Sequence, residues 1–103
     1  MMQTITVEEL KSRLDNGEQP YVIDVREPHE YEEYNIGAKL IPLGQIQTMQ
    51  VDEIEHLKDE EIIVHCRSGK RSAMACQILD TMGFKNTKNL EGGVLAWKEK
   101  IDK

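Results

Sequence analysis

The stretch "IIVHCRSGKRSAMACQILDTMG", residues 62–83, changes character at Cys66. Three β-branched residues, Ile62, Ile63 and Val64, lead into it, and "EIIVH" (61–65) predicts a buried strand. Residues 72–82 predict a helix, with Ala73, Cys76 and Leu79 on one apolar stripe and Gly83 as the stop. Between strand and helix lie Cys66, Arg67, Ser68, Gly69, Lys70 and Arg71. A cysteine therefore closes a buried strand and is ringed by cations at the start of a helix. Working outward, strands and helices alternate along the chain. A short strand is expected at 4–6, then a helix capped by Thr6, with Val7, Leu10 and Leu14 at helical spacing and Asn16-Gly17 as its end. "YVIDV" (21–25) reads as a buried strand and 28–34 as a helix opening on Pro28. "KLIPL" (39–43) reads as a weak strand, 51–57 as helical, "TKNL" (87–90) as a last strand and "VLAWKEKI" (94–101) as a last helix. Such alternation implies an α/β fold: a mostly parallel sheet with helices on both faces. In such sheets chemistry gathers at the carboxyl ends of the strands. Cys66 stands at one such end, and Asp24 and Arg26 at another.

Bulk properties narrow the function classes. The 103 residues suit one domain with a modest core. Hydrophobic residues make up 39% and charged residues 31%, so the chain reads as soluble. No apolar run approaches the ~20 residues of a membrane helix, and "MMQTITVEEL" has no signal-peptide pattern. A net charge of −6 argues against nucleic acid as a partner. Two cysteines ten apart, with no Cys-x-x-Cys, suggest neither a disulfide framework nor a metal site. A reducing cytoplasm fits that usage.

The strand–helix loop has a clear chemical logic. Unpaired N–H groups at a helix start bind anions. A cysteine held there ionises easily; comparable settings bring a thiol from about 8.5 into the range ~3.5–7.5. Because nucleophilicity falls with pKa, the stronger benefit is stabilising charge that moves on and off sulfur during reaction. Arg67, Lys70 and Arg71 add three positive charges within six residues of an acidic chain. Screening confines charges beyond about 8 Å, so a small anion in the loop feels mainly these cations.

The segment Cys66-Arg67-Ser68-Gly69-Lys70-Arg71 resembles the active-site loop of rhodanese-like sulfurtransferases. "YVIDVREPHEYEEYNIGAKLIP" is similar to that family's strand and Asp-x-Arg-Glu segment, and "NLEGGVLAW" to its Gly-Gly-x-x-x-Trp signature. The resemblance spans nearly the whole chain. It implies a single rhodanese-like domain over 1–103, with a five-stranded, mostly parallel sheet. It also implies a persulfide cycle: Cys66 as nucleophile takes a sulfane sulfur from an anionic donor such as thiosulfate. It then passes that sulfur to cyanide or a thiol, a thioredoxin-like protein among the possible acceptors. Backbone N–H groups of 67–71 are expected to stabilise the sulfur's charge. Arg67, Ser68, Gly69, Lys70 and Arg71 are expected to bind substrate, with Arg71 or Arg67 nearest the sulfur. No cofactor is implied. Two departures stand out: Asn35 replaces the usual histidine before Gly-Ala, and Glu30, Glu32 and Glu33 occupy positions near which two-domain relatives carry a further arginine.

Two alternatives are weighed against this reading. Cysteine phosphatases and arsenate reductases use Cys-x5-Arg, whereas Arg71 is five past Cys66 and Ser72 is six past. A catalytically idle interaction module has no need of the cysteine and its cations. Asp24 and Arg26 are read as an ion-paired brace behind the loop. Cys76 is read as a buried core residue, His65 as a core or edge residue, and His29 and His56 as solvated. Trp97 with Gly92 and Gly93 is expected to pack the last helix on the sheet, and "EYEEY" (30–34) to form an exposed helical face.

Overall fold

The computed structural model describes residues 3–102. Its elements run β1 (Gln3–Ile5), α1 (Val7–Asp15), β2 (Tyr21–Asp24), α2 (Pro28–Glu33), β3 (Lys39–Leu40) and α3 (Leu43–Gln47). A 3-10 helix (Asp52–Leu57), β4 (Glu61–His65), α4 (Lys70–Thr81), β5 (Asn86–Leu90) and α5 (Gly93–Lys100) follow. The five strands form one sheet in the order β1-β5-β4-β2-β3, every pairing parallel. Among the described residues no helix is long and apolar enough to cross a membrane.

β4 lies at the centre, so both of its faces are covered. That explains a continuous apolar run in place of alternation. Successive side chains point to opposite faces. Ile62 and Val64 join Ile23, Ile46, Ile54, Cys76, Leu79 and Phe84 in one core layer, under α3, the 3-10 helix and α4. Ile63 joins Ile5, Val7, Leu10 and Leu90 in the other, under α1 and α5. Trp97 packs against this second layer. Cys76 is fully buried, as its stripe predicts.

Local chemistry explains most element ends. Thr6 caps α1 through a reciprocal box: its hydroxyl accepts from Glu9 N, and Glu9 accepts from Thr6 N, both at 3.1 Å. Val7 and Leu10 face the core, but Leu14 near the helix end is 39% exposed. Two expectations are corrected. β3 ends after only two residues, ahead of Pro42, and Leu43 already belongs to a five-residue helix. The helical segment expected at 51–57 is present as a 3-10 helix over Asp52–Leu57. α4 begins at Lys70, two residues early, because Gly69 caps it in a left-handed conformation at φ 106°. Lys70 and Arg71 therefore sit in a helical first turn.

Candidate active site

β4 delivers Cys66 to the carboxyl edge of the sheet, and α4 begins four residues later. The loop between them folds back on the cysteine. Gly69 N–H donates to Cys66 Sγ at 3.1 Å, Ser72 N–H at 3.4 Å, and the Ser72 hydroxyl lies 3.4 Å from the same sulfur. Burial raises the thiol's pKa. The Ser72 hydroxyl and the N–H groups of Ser72, Gly69 and Ser68 outweigh that burial, so the net direction is downward. Cys66 is only 1% exposed, so the loop closes over it. Of the expected 67–71 donors, Gly69 and Ser68 contribute; Ser72, one residue beyond, contributes twice, and its side chain is not signalled by the sequence.

The three cations have different surroundings. Arg67 and Lys70 are exposed, and neither side chain has a hydrogen-bond or ion-pair partner among the described residues. Arg71 is engaged instead: its Nη1 and Nη2 donate to Glu30 Oε1 and Oε2 at 2.7 and 2.8 Å. Arg71 holds the Glu30 carboxyl down at about 2. A forked pair of this kind fixes geometry as well as charge. Glu30 and Tyr31 are accordingly half-buried, so "EYEEY" is not a free surface. The Tyr31 hydroxyl donates to Ala38 O at 2.5 Å.

Asp24 and Arg26 are both buried at the end of β2. Arg26 Nε lies 3.0 Å from each Asp24 oxygen, and Nη2 donates to Asp24 Oδ2 at 2.7 Å and to the Tyr34 carbonyl at 2.6 Å. Arg26 thereby ties the strand end to α2, and α2 carries Glu30 to Arg71. The support reaches α4 through α2. His65 is fully buried; its Nδ1 lies 3.4 Å from the Cys66 carbonyl and its Nε2 3.7 Å from Asp24 Oδ2. Burial pushes its pKa down, keeping it neutral.

The C-terminal glycines complete the site. Gly92 and Gly93 both have positive φ, 75° and 54°. A Cβ on Gly93 would overlap the Cys66 carbonyl oxygen and stand 2.8 Å from the Arg67 carbonyl oxygen. That closeness lets Val94 N–H donate to Cys66 O and Leu95 N–H to Arg67 O, each at 3.0 Å. The first turn of α5 is thus docked on the cysteine loop, a contact the sequence reading assigned to packing on the sheet. Beside it lies a groove of about 400 Å³ lined by Arg67, Val94, Leu95, Lys98, Tyr34 and Glu33, among others. Lys98 Nζ sits 4.4 Å above the Tyr34 ring. Asn89 on β5 was also not singled out. Its Nδ2 donates to Gly69 O at 3.0 Å, and its Oδ1 lies 2.5 Å from the Ser72 hydroxyl.

With this geometry in place, similarity to known proteins becomes specific. The family model of the rhodanese-like domain matches residues 6–100. The chain belongs to the rhodanese-like domain family. "Putative sulfurtransferase YtwF" of Bacillus subtilis is 40% identical over 94% of this chain and 91% of that protein. A protein of Allochromatium vinosum named "Sulfurtransferase" is 36% identical, covering 94% of this chain and 89% of its own. A crystal structure of a rhodanese-like domain protein from Staphylococcus aureus superposes with a TM-score of 0.82 at 34% identity. That match covers 93% of this chain and 91% of the other. The five-stranded parallel sheet described above is thus the rhodanese-like fold.

Proposed function

We propose that this rhodanese-like domain is a sulfurtransferase that carries a sulfane sulfur on Cys66 from an anionic donor such as thiosulfate to a thiophilic acceptor. The observation that carries this reading is the cradle of N–H and hydroxyl groups around Cys66 Sγ, in a loop that also carries the exposed cations Arg67 and Lys70. In the first step the Cys66 thiolate attacks the outer sulfur of thiosulfate. The S–S bond of the donor breaks, and sulfite leaves with the electron pair. In the second step cyanide or a thiolate attacks the outer sulfur of the persulfide. The electron pair returns to Cys66 Sγ, and thiocyanate or a new persulfide departs. Both steps move negative charge at the same sulfur, where the backbone N–H donors of Gly69 and Ser72 are fixed and need no reorganisation.

The roles divide accordingly. Cys66 is the nucleophile. Gly69 and Ser72 stabilise its charge. Arg67 and Lys70 attract the donor, and Arg71 positions the start of α4 through Glu30. Asp24 and Arg26 brace α2 behind it. The groove beside Arg67 leaves room for an acceptor larger than cyanide, such as a low-molecular-weight thiol or the tip of a thioredoxin-like protein. A reducing compartment such as the cytoplasm suits a thiol that must be regenerated each cycle. The test is thiocyanate formation from thiosulfate and cyanide by wild type and Cys66→Ser. Turnover in the wild type and none in the folded variant is expected. Equal rates in both would overturn the proposal.

A further inference from the structure

The Ser72 side chain is poised between two acceptors. Its oxygen lies 3.4 Å from Cys66 Sγ and 2.5 Å from Asn89 Oδ1. A serine hydroxyl carries one hydrogen and can donate it to only one of them at a time. The orientation of Asn89 is not free, because its Nδ2 donates to Gly69 O at 3.0 Å. The amide therefore presents its oxygen to Ser72. Ser72 is fully buried and Asn89 is 8% exposed, so water offers no ready substitute for either partner. Neighbouring strand β4 pairs with β5 in the register Val64↔Asn89, which sets Asn89 beside the strand that delivers the cysteine.

We propose that Ser72 and Asn89 form a one-hydrogen switch that follows the charge on Cys66. When Cys66 is a thiolate, the hydroxyl donates to Sγ, because a bond to an ionised acceptor is about twice as strong as a neutral one. When Cys66 carries the transferred sulfur, negative charge moves to the outer sulfur and Sγ becomes a poor acceptor. The hydrogen then turns to Asn89 Oδ1, which keeps a buried donor satisfied in the resting persulfide. As an acceptor pulls the outer sulfur away, the electron pair returns to Sγ and the hydrogen returns with it. The contact to sulfur is thus made chiefly where the thiolate is leaving, so it lowers the barrier rather than merely tightening the ground state. Asn89 is the positioning residue in this scheme. Ser72 touches the reacting atom.

The assignment rests on the sulfur-transfer reading for its catalytic part, whereas the thiol titration below needs no transfer at all. The Cys66 thiol pKa is measured from the pH dependence of iodoacetamide alkylation in Ser72→Ala, Ser72→Thr, Asn89→Leu and the Ser72→Ala/Asn89→Leu pair, with folding followed by circular dichroism. Arg71 interacts electrostatically with Cys66; it, the loop cations Arg67 and Lys70, and the adjacent His65 are unchanged in all four. The switch requires opposite signs. Ser72→Ala raises the thiol pKa because the thiolate loses its donor. Asn89→Leu lowers it because the hydroxyl no longer has a competitor. The double variant behaves like Ser72→Ala, and Ser72→Thr stays near wild type. A purely structural role would instead raise the pKa in both single variants. In a second readout, discharge of the preformed persulfide to cyanide should slow roughly 10- to 150-fold in Ser72→Ala and recover in Ser72→Thr. An upward pKa shift in folded Asn89→Leu overturns the switch. If Asn89→Leu does not fold, an unchanged pKa in Ser72→Ala overturns it alone. Failure of the wild type to form a persulfide at all would defeat the sulfur-transfer reading and leave the titration result standing.

Discussion

Replacing Gly93 with alanine tests how firmly α5 holds the cysteine loop. The added Cβ would overlap the Cys66 carbonyl oxygen and lie 2.8 and 2.9 Å from Arg67 backbone atoms. These are backbone atoms, so no side chain can swing aside. The left-handed φ of 54° costs an alanine about 1–2 kcal/mol by itself. Relief of the overlap separates α5 from the loop and breaks the 3.0 Å bonds from Val94 N–H and Leu95 N–H. Val94 is buried, so its orphaned N–H costs about 1–3 kcal/mol; Leu95 is 43% exposed and recovers part of its loss from water. The sum is about 2–5 kcal/mol, a large share of the ~5–15 kcal/mol that holds a small domain together. Gly17→Ala is the control, since φ is 87° there but nothing lies within 4 Å of the new Cβ. It should cost only the backbone strain. Urea unfolding at unchanged slope should rank wild type above Gly17→Ala and Gly17→Ala well above Gly93→Ala. Thiosulfate turnover at low temperature should fall in Gly93→Ala alone. Equal midpoints for the two variants, with turnover intact in both, would refute the docking of α5 on the loop.

Further outcomes follow from the ion pairs and the second cysteine. Glu30 has a folded pKa near 2, held down first by Arg71, so its contribution is fully present above pH ~4.5 and disappears as pH falls through about 2. Glu30→Gln should be less stable than wild type by roughly 2–3 kcal/mol at pH 7 after allowance for its partial exposure, with the gap closing by pH 2; a gap independent of pH would show that the pair contributes nothing. Arg67→Ala and Lys70→Ala should raise the KM for thiosulfate and reduce kcat/KM by roughly 10- to 150-fold. Steady-state kinetics unchanged in both would show that these side chains do not meet the donor. Cys76 is fully buried, and burial pushes its thiol up to about 11. Iodoacetamide at pH 8 should label Cys66 well before Cys76. Cys76→Ser should cost about 1 kcal/mol in thermal unfolding, the low end for a buried hydroxyl, because Thr87 is within its reach. If Cys76→Ser folds and loses sulfur transfer, the two thiols act together and the core role is wrong.

The fold was legible where one signal dominated. Ile62, Ile63 and Val64 announce a central strand because burial on both faces leaves no room for a polar alternate. Thr6 announces a helix start through its own side chain. α3 was hidden because "KLIPL" is an apolar run whose register depends on how Pro42 ends the strand, which periodicity over five residues does not resolve. The onset of α4 was placed two residues late because a glycine cap leaves no side-chain signature, only a backbone angle. Within the site, a cysteine flanked by cations was visible in one local window. The partners that hold it were not. Glu30, Asn89 and Gly93 lie 36, 23 and 27 residues from Cys66 in the chain, and only parallel pairing of β4 with β5 and the return of α2 bring them together. Arg71 looked like its two neighbouring cations in sequence, and a partner on another helix sets it apart. Ser72 follows the charged run directly, and a helix start placed at residue 72 conceals that the first turn points its hydroxyl back at the sulfur.

Sulfur transfer by this domain requires that Cys66 carry a transferable sulfur. Intact mass after a single turnover with thiosulfate tests it most directly, with sulfite measured in the same sample. A Cys66 persulfide gives a species one sulfur atom heavier, one sulfite released per modified chain, return to the original mass on adding cyanide, and no such species in Cys66→Ser. An unchanged mass in the folded wild type, or the same added sulfur in Cys66→Ser, would contradict it.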